Sequence, residues 1–172
     1  MSIIIEEISQ QHNRKGFDCG VAELNQFLQQ QARQKAAKSI AKTYVASLSG
    51  ATEMILGYHT LSGYSVTTPP EHKSYKNYPH PLSAVKLSRL AVALSHQGLG
   101  LGERLLIDAI YRTVLVDQQI SVIGLFVDPM TPKLIAFYQQ YGFLPAHPDE
   151  LSRLEMWLPI KTCTEITKIL FE

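Results

Sequence analysis

The chain has 172 residues, of which 45% are hydrophobic and 18% are charged, a balance typical of a folded globular protein and not of a disordered one. The formal net charge is only +1, so bulk charge argues neither for nor against a nucleic-acid partner. The length suits one domain with a proper hydrophobic core, and we expect a single domain over residues 1–172.

Cysteine and histidine usage argues against a disulfide framework and against a metal site. The two cysteines, Cys19 and Cys163, are far apart, and the six histidines form no HExxH or other metal-ligand pattern. The sequence contains no signal-peptide pattern and no apolar run long enough to span a membrane. We therefore expect no metal, no membrane association and a location in the cytoplasm.

The first half of the chain predicts a strand, a helix and a pair of strands. The β-branched run at 2–9, "SIIIEEIS", is typical of a strand. Apolar residues recur at helical spacing from Leu24, and an alanine-rich stretch extends this predicted helix to about Lys42. The segments 43–50 and 53–66 then predict two antiparallel strands.

The second half of the chain alternates strand-like apolar runs with helical patterns, after a proline-rich loop over residues 67–83. One helix has complete punctuation, with Thr131 as N-cap, Pro132 at the first helical position and Gly142 after the last turn. The order of elements predicts a mixed α/β domain. The predicted elements are a strand at 85–94, a helical stripe over 105–114, a strand at 120–127, a helix over 131–142 and a strand at 154–160.

A glycine-rich segment joins the strand at 85–94 to the helix that follows. The sequence "SHQGLGLGERLL" places glycine at three alternate positions, Gly98, Gly100 and Gly102. Glycine costs backbone entropy, so three of them at a helix entrance require an explanation. A strand that runs into a glycine-rich helix N-terminus is typical of an anion site, because backbone N–H groups and the helix dipole both favour phosphate.

Two common phosphate loops do not fit this segment. A dinucleotide-binding GxGxxG loop that starts at Gly100 requires a third glycine where the chain has Leu105. A P-loop requires lysine and then serine or threonine after the last glycine, where the chain has Glu103 and Arg104. A plain turn that starts a helix is the remaining alternative, although one glycine suffices for that.

The segment from Gln97 to Gly102 fits the Q/R-x-x-G-x-G/A motif of the GNAT acetyltransferases, and the chain resembles that family over roughly residues 85–145. The preceding "RLAV" and the later "AFYQQYGF" strengthen the resemblance. It implies a GNAT fold, with a central, mostly antiparallel twisted sheet that is splayed at the acetyl-CoA site and flanked by helices. It also implies acetyl-CoA as co-substrate, held by strand residues near its carbonyl and by the loop around its pyrophosphate. These residues are Leu90, Ala91, Val92, Gln97, Gly98, Leu99, Gly100, Leu101, Gly102 and Glu103.

The N-terminal part carries a further set of matching residues: His12, Phe17, Asp18, Cys19, Gly20, Leu24, Phe27 and Leu28. With these residues the chain resembles a narrower group, the acetyltransferase toxins of bacterial type II toxin–antitoxin systems. One departure is Ala93, which stands where such proteins often have aspartate. The resemblance implies acetylation of the α-amino group of aminoacyl-tRNA, neutralisation by a ribbon-helix-helix antitoxin, and a homodimer. The alternatives are a GNAT enzyme that acts on a small amine or a protein lysine, and a non-catalytic module that binds acyl-CoA or a partner.

Tyr138, within "AFYQQYGF", is the predicted general acid, because GNAT enzymes often place a tyrosine there beside the coenzyme sulfur. The alternatives are a core tyrosine and one whose hydroxyl only anchors its helix. We expect Tyr141, one turn later, to pack. Cys19 has the chemistry for an acyl-enzyme, but a small buried thiol is the favoured interpretation.

Positive charge is concentrated in two segments, 21–42 and 71–89, each with four basic residues against one glutamate, which gives +3. Lys35, Lys38 and Lys42 fall on one face of the predicted helix. A solvated helix face is the simpler interpretation, and the toxin resemblance favours an RNA backbone track. The predicted RNA contacts are Arg33, Lys35, Lys38, Lys42, Lys86 and Arg89.

Overall fold

The structure, a computed structural model, describes residues 2–171. In that range the chain has seven strands: β1 (Ile3–Glu7), β2 (Lys42–Leu48), β3 (Gly57–Val66), β4 (Leu82–Val92), β5 (Gly124–Val127), β6 (Leu144–Pro145) and β7 (Met156–Pro159). They form one sheet in the order β1-β2-β3-β4-β5-β7-β6. The pairs β1–β2, β2–β3, β5–β7 and β6–β7 are antiparallel.

Helices flank this sheet, and the expected mixed α/β fold with a mostly antiparallel sheet is confirmed. A π-helical turn (Phe27–Gln31) separates the first two helices, and a 3-10 turn (Leu94–His96) follows β4. The helices are α1 (Ala22–Gln26), α2 (Ala32–Ala37), α3 (Leu101–Ile120), α4 (Pro132–Gln139) and α5 (Ile160–Phe171).

The chain divides into two compact units. The first contains the chain up to Ser62 together with Leu87–Ala109, and the second contains Gly63–Lys86 together with the chain from Ile110 onward. Strands β3 and β4 and helix α3 each contribute residues to both units. The single domain expected over residues 1–172 stays a prediction.

The core of the first unit is built around Tyr58. Its ring centroid lies 5.6 Å from that of Phe17 and 6.2 Å from that of Phe27, and its hydroxyl donates to the Leu24 carbonyl at 2.8 Å. Burial of each such aromatic ring contributes on the order of 2–3 kcal/mol to folding. The residues that the sequence marked in the N-terminal segment therefore include several that hold the first unit together.

The core of the second unit is built around Trp157, which is fully buried. Its ring stacks on Phe126 at 5.4 Å, and Tyr64 approaches Phe126 edge-on at 5.3 Å. Strands β5 and β7, which carry Phe126 and Trp157, are almost entirely buried, as their apolar sequences predict.

One predicted helix needs correction, and another helix was missed. The first helical run ends at Ala37 and not at about Lys42, because Ser39 adopts a left-handed conformation (φ 58°) and the N–H of Ile40 folds back to the Lys35 carbonyl at 2.9 Å. Lys42 is instead the first residue of β2. Helix α5 was not predicted at all, since the late strand was taken as the last element.

Candidate active site

The glycine loop lies in the first unit, between the end of β4 at Val92 and the start of α3 at Leu101. Gly98 and Gly100 both have positive φ angles, +78° and +83°. Residues with a side chain rarely adopt this left-handed backbone conformation, so the path of the loop requires glycine at these two positions.

The loop exposes an unusual number of backbone donors. Within residues 2–171, the N–H groups from Gly98 to Glu103 have no hydrogen-bond partner, and the first helical bond runs from the Arg104 N–H to the Gly100 carbonyl at 3.2 Å. Backbone N–H groups are obligatory donors, and a helix start leaves up to four of them without an internal acceptor. Six consecutive free donors at the positive end of a 20-residue helix favour an anionic ligand.

The space around the glycines is consistent with a bound pyrophosphate. A Cβ added at Gly98 or Gly100 meets no protein atom within 4 Å, so the chain itself leaves this side of the loop open. At Gly102 the φ angle is not positive, and an added Cβ lies 3.8 Å from the Val92 side chain, an ordinary contact. This explains why the family motif accepts alanine at the last position. The loop therefore fits the pyrophosphate of acetyl-CoA.

The residues next to the glycines anchor the loop to the core. Leu101 is buried in a cluster with Leu56 and Leu105, and the half-buried Leu90 and Val92 pack against the same cluster. Leu99, by contrast, is 73% exposed. The loop is thus fixed at both ends while its glycines stay accessible.

Gln97 has a role that the motif alone does not reveal. Its side-chain amide nitrogen donates to two backbone carbonyls, those of Cys19 at 3.0 Å and Val92 at 2.9 Å. The side chain that opens the motif is therefore committed to holding two segments of this unit together.

Tyr138 lies on α4 in the second unit. Its ring is buried between Phe137 and Phe143, with centroid distances of 5.3 and 5.2 Å, and burial raises its pKa to about 12. Among the described residues its hydroxyl has no hydrogen-bond partner, so the alternative of a hydroxyl that anchors the helix has no support. The hydroxyl is a protonated, uncommitted donor at neutral pH.

Two further side chains, those of Cys19 and Tyr141, make packing contacts. Cys19 is 6% exposed, and its thiol donates to the Val21 carbonyl at 3.6 Å. The Tyr141 ring is half-buried and lies 5.5 Å from that of Phe137.

Four of the six predicted RNA contacts carry free cations in the first unit. Within the described range no carboxylate pairs with Arg33, Lys35, Lys38 or Arg89. The guanidinium of Arg89 lies 3.7 Å above the centroid of the Phe27 ring, and the ammonium group of Lys35 lies 5.5 Å from the same centroid. Stacking on an aromatic face fixes a guanidinium while its edge donors stay available.

The other two predicted contacts, Lys42 and Lys86, stay predictions, and both lysines are engaged with carboxylates. Lys42 pairs with Glu7 at 3.1 Å. Lys86, in the second unit, lies 2.8 Å from Asp128 and 2.9 Å from the buried Glu155. These carboxylate partners are distant in sequence, so the net charge of a local segment does not reveal them.

Sequence reasoning missed the cluster around Glu155. Its carboxylate accepts from the Tyr64 hydroxyl at 2.6 Å and contacts His147 at 3.3 Å, in addition to Lys86. Burial acts to raise the pKa of Glu155, but the hydrogen bonds from Tyr64 and Lys86 outweigh it, and the pKa lies below its usual range. The cluster ties β3 and β4 to Glu155, the residue directly before β7, within the second unit.

Residues 2–171 contain no group of three or more His, Cys, Asp or Glu side chains placed to hold a metal ion. No helix in this range is long and apolar enough to cross a membrane.

Comparison with known proteins identifies the family. The sequence model of the Acetyltransferase (GNAT) family matches residues 26–143, which include the glycine loop and Tyr138. The chain belongs to this family: it is a GNAT acetyltransferase, and acetyl-CoA is its co-substrate.

Two curated relatives are toxins. The probable toxin TacT of Sinorhizobium fredii is 27% identical over 172 residues, covering 92% of each chain. A tRNA-acetylating toxin of Mycobacterium tuberculosis is 29% identical over 137 residues, covering 79% of this chain and 81% of the relative.

Several solved toxin structures have folds similar to that of this chain. A tyrosine-to-phenylalanine mutant of KacT has a TM-score of 0.86 at 27% identity, covering 96% of this chain and 99% of that one. AtaT complexed with acetyl-methionyl-tRNAfMet has a TM-score of 0.84 at 26% identity, with coverage of 99% and 100%. AtaTR bound with acetyl-CoA has a TM-score of 0.80 at 27% identity, with coverage of 99% and 98%.

Proposed function

We propose that this chain is a toxin that transfers the acetyl group of acetyl-CoA to the α-amino group of aminoacyl-tRNA, and so blocks translation. The use of acetyl-CoA is supported above all by the run of backbone N–H groups without an internal acceptor from Gly98 to Glu103. The role as a toxin is supported by both curated relatives, and the tRNA substrate by the tRNA-acetylating toxin and by AtaT in its complex with acetyl-methionyl-tRNAfMet.

The acceptor amine needs little help from the protein. An α-amino group has a reference pKa of about 7.7–8.0, and its attachment to an ester lowers this further, so an appreciable fraction is neutral at physiological pH. A neutral nitrogen attacks the thioester carbonyl carbon, the new C–N bond forms and the C–S bond breaks. No dedicated general base is required for this step.

The protein supplies positioning and a proton. By family resemblance, backbone N–H groups of β4 around Leu90, Ala91 and Val92 hold the acetyl carbonyl as negative charge develops on its oxygen. Tyr138 donates its hydroxyl proton to the departing sulfur, and the proton that the amine loses balances this donation. The free hydroxyl and the raised pKa of Tyr138 support this role, because the group is fully protonated where the enzyme works.

The RNA contacts are proposed on the cations without carboxylate partners. Arg33, Lys35, Lys38 and Arg89 satisfy this condition, whereas Lys42 and Lys86 do not and are left out. Arg89 is the best supported of the four proposed contacts, because stacking on Phe27 holds its guanidinium with N–H donors along the edge that can bind a phosphate.

We also propose the partners that the toxin resemblance implies: a ribbon-helix-helix antitoxin, a second copy of this chain in a homodimer, and a location in the cytoplasm where charged tRNA occurs. Size-exclusion chromatography with light scattering tests the dimer. Co-expression with a small adjacent gene product tests the antitoxin.

One acceptor panel tests the function itself. The purified chain is incubated with radiolabelled acetyl-CoA and either charged tRNA, deacylated tRNA, small amines or lysine-containing peptides. We expect label in charged tRNA only, released as N-acetyl-amino acid by mild base. Label in small amines or peptides, with none in charged tRNA, contradicts the proposal and favours the other GNAT activities. Binding of acetyl-CoA without transfer to any acceptor favours a non-catalytic module.

A further inference from the structure

The N-terminal segment Asp18–Gly20, which the sequence marked without assigning it a role, forms a closed ring of hydrogen bonds. The Asp18 carboxylate accepts from the Gly20 N–H at 2.8 Å and from the Asn25 side-chain amide at 2.9 Å. The Asn25 amide oxygen in turn accepts from the Cys19 N–H at 2.9 Å. These bonds hold the pKa of the Asp18 carboxyl below its usual value. The side chains thus close the ring from within and leave its carbonyls available.

Those carbonyls bind the segment that leads into the glycine loop. The Asp18 carbonyl accepts from the Leu94 N–H at 2.9 Å, and the Cys19 carbonyl accepts from the Gln97 side chain at 3.0 Å. Gly20 has a φ of +87°, and a Cβ there would lie 3.1 Å from the Leu94 side chain. The ring therefore meets the exit of β4 at three points.

Gln97 is the last anchored residue before the run of free donors. The same side-chain nitrogen that reaches Cys19 also donates to the Val92 carbonyl at 2.9 Å, while the six N–H groups that follow have no internal partner. The position of Gln97 therefore sets the direction in which the backbone that carries these N–H groups extends from the core.

We propose that Gln97 and the Asp18–Gly20 ring are positioning elements of the acetyl-CoA site. They fix the glycine loop in its binding conformation without using their side chains on the coenzyme. The motif position of Gln97 accepts glutamine or arginine, and both side chains carry planar N–H donors that can reach two carbonyls at once. A side chain that bridges two carbonyls explains that choice, whereas the pyrophosphate alone does not require it.

Coenzyme A binding, which needs no acceptor substrate, tests the proposal. Gln97→Met keeps the length of the side chain and removes both donated bonds. Because each such bond is typically worth 0.5–1.5 kcal/mol, we expect coenzyme A affinity measured by calorimetry to fall about tenfold to a hundredfold. The affinity for pantetheine, which lacks the pyrophosphate and nucleotide, should change less than twofold in an NMR titration. Gln10→Met, at an exposed glutamine, is the matched control and should bind both ligands as wild type does.

Two further variants separate positioning from general structural damage. Gln97→Arg restores the donors and should bind coenzyme A within about threefold of wild type. Asn25→Ala opens the ring, and its effect should not add to that of Gln97→Met, since both act on the Cys19 segment. Wild-type coenzyme A affinity in Gln97→Met overturns the proposal. An equal loss for coenzyme A and pantetheine, or failure of the arginine variant to recover binding, overturns it as well.

Discussion

Helices α3 and α4 begin in opposite ways. In the second unit, α4 satisfies its own start, because the Thr131 hydroxyl accepts from the Leu134 N–H at 3.2 Å and Pro132 has no N–H to satisfy. In the first unit, α3 begins at Leu101, and neither its first three N–H groups nor the three before them have an acceptor in the described chain.

This difference separates two ways in which a helix contributes to a site. A helix with a side-chain cap, such as α4, leaves its side chains to contribute to a site, and here that side chain is the proposed general acid Tyr138. The uncapped start of α3 leaves its N–H groups available to an anion, so we propose that this helix contributes through its backbone. Substitutions in the loop should therefore change coenzyme affinity, and substitution of Tyr138 should change the rate of chemistry.

The largest effect is expected from a charge placed in the loop. Gly102→Asp adds a carboxylate beside the pyrophosphate, and the repulsion should lower acetyl-CoA affinity about a hundredfold or more, with the fold intact. Gly102→Ala is the matched control, because its Cβ meets only an ordinary contact with Val92. We expect alanine to bind acetyl-CoA within about threefold of wild type in calorimetry. Equal affinity in the aspartate variant places the pyrophosphate elsewhere.

The second effect concerns the side chain on α4. Tyr138→Phe removes a hydroxyl that has no partner in the described chain, so stability and acetyl-CoA affinity should not change. The turnover number should fall by about 10²–10⁴, because a positioned general acid is worth that much. Stopped-flow or quench measurements of the chemical step provide the readout, and Tyr141→Phe should stay within about twofold. Since the pKa of Tyr138 is about 12, its deprotonation should cause no loss of rate between pH 7 and 9. Wild-type turnover in Tyr138→Phe makes this tyrosine a packing residue.

A smaller effect separates free cations from paired ones. Joint neutralisation of Lys35, Lys38 and Arg89 to glutamine should weaken tRNA binding about tenfold to a hundredfold and flatten its dependence on salt, because phosphate contacts release counterions. Lys42→Gln is the control, since this lysine already pairs with Glu7. Filter binding at several salt concentrations measures both quantities. An unchanged salt slope in the triple variant would reduce these residues to solvated surface.

The smallest effect tests the capped helix directly. Thr131→Ala removes the acceptor for the Leu134 N–H, and loss of an N-cap costs about 1 kcal/mol. We expect the free energy of unfolding in urea to fall by about that amount, while acetyl-CoA affinity changes less than twofold. A large loss of affinity without loss of stability would show that the start of α4 serves the ligand and not the fold.

Local signals predicted much of this architecture. The cap, the proline and the terminal glycine of α4 are all where the sequence placed them, and Gly142 has the expected positive φ of +92°. The glycine loop and the strand before it were also found from spacing alone. Such features depend on neighbours within a few residues, which is why one sequence suffices.

Features that depend on distant partners were missed. The pairing of Lys86 with Glu155 joins residues 69 positions apart, and the bond from Gln97 to Cys19 spans 78 positions. The end of the first helical run was placed too late because alanines and lysines favour a helix, while the left-handed Ser39 ends it. Neither spacing nor composition contains this information.

Site-resolved hydrogen exchange, measured by NMR with and without acetyl-CoA, tests the central claim most directly. In the free protein, the amides from Gly98 to Glu103 should exchange fast, because they have no internal acceptor, while the Leu134 amide exchanges more slowly. Saturating acetyl-CoA should slow the loop amides by an order of magnitude or more. Tight acetyl-CoA binding with no change in loop exchange would contradict the account.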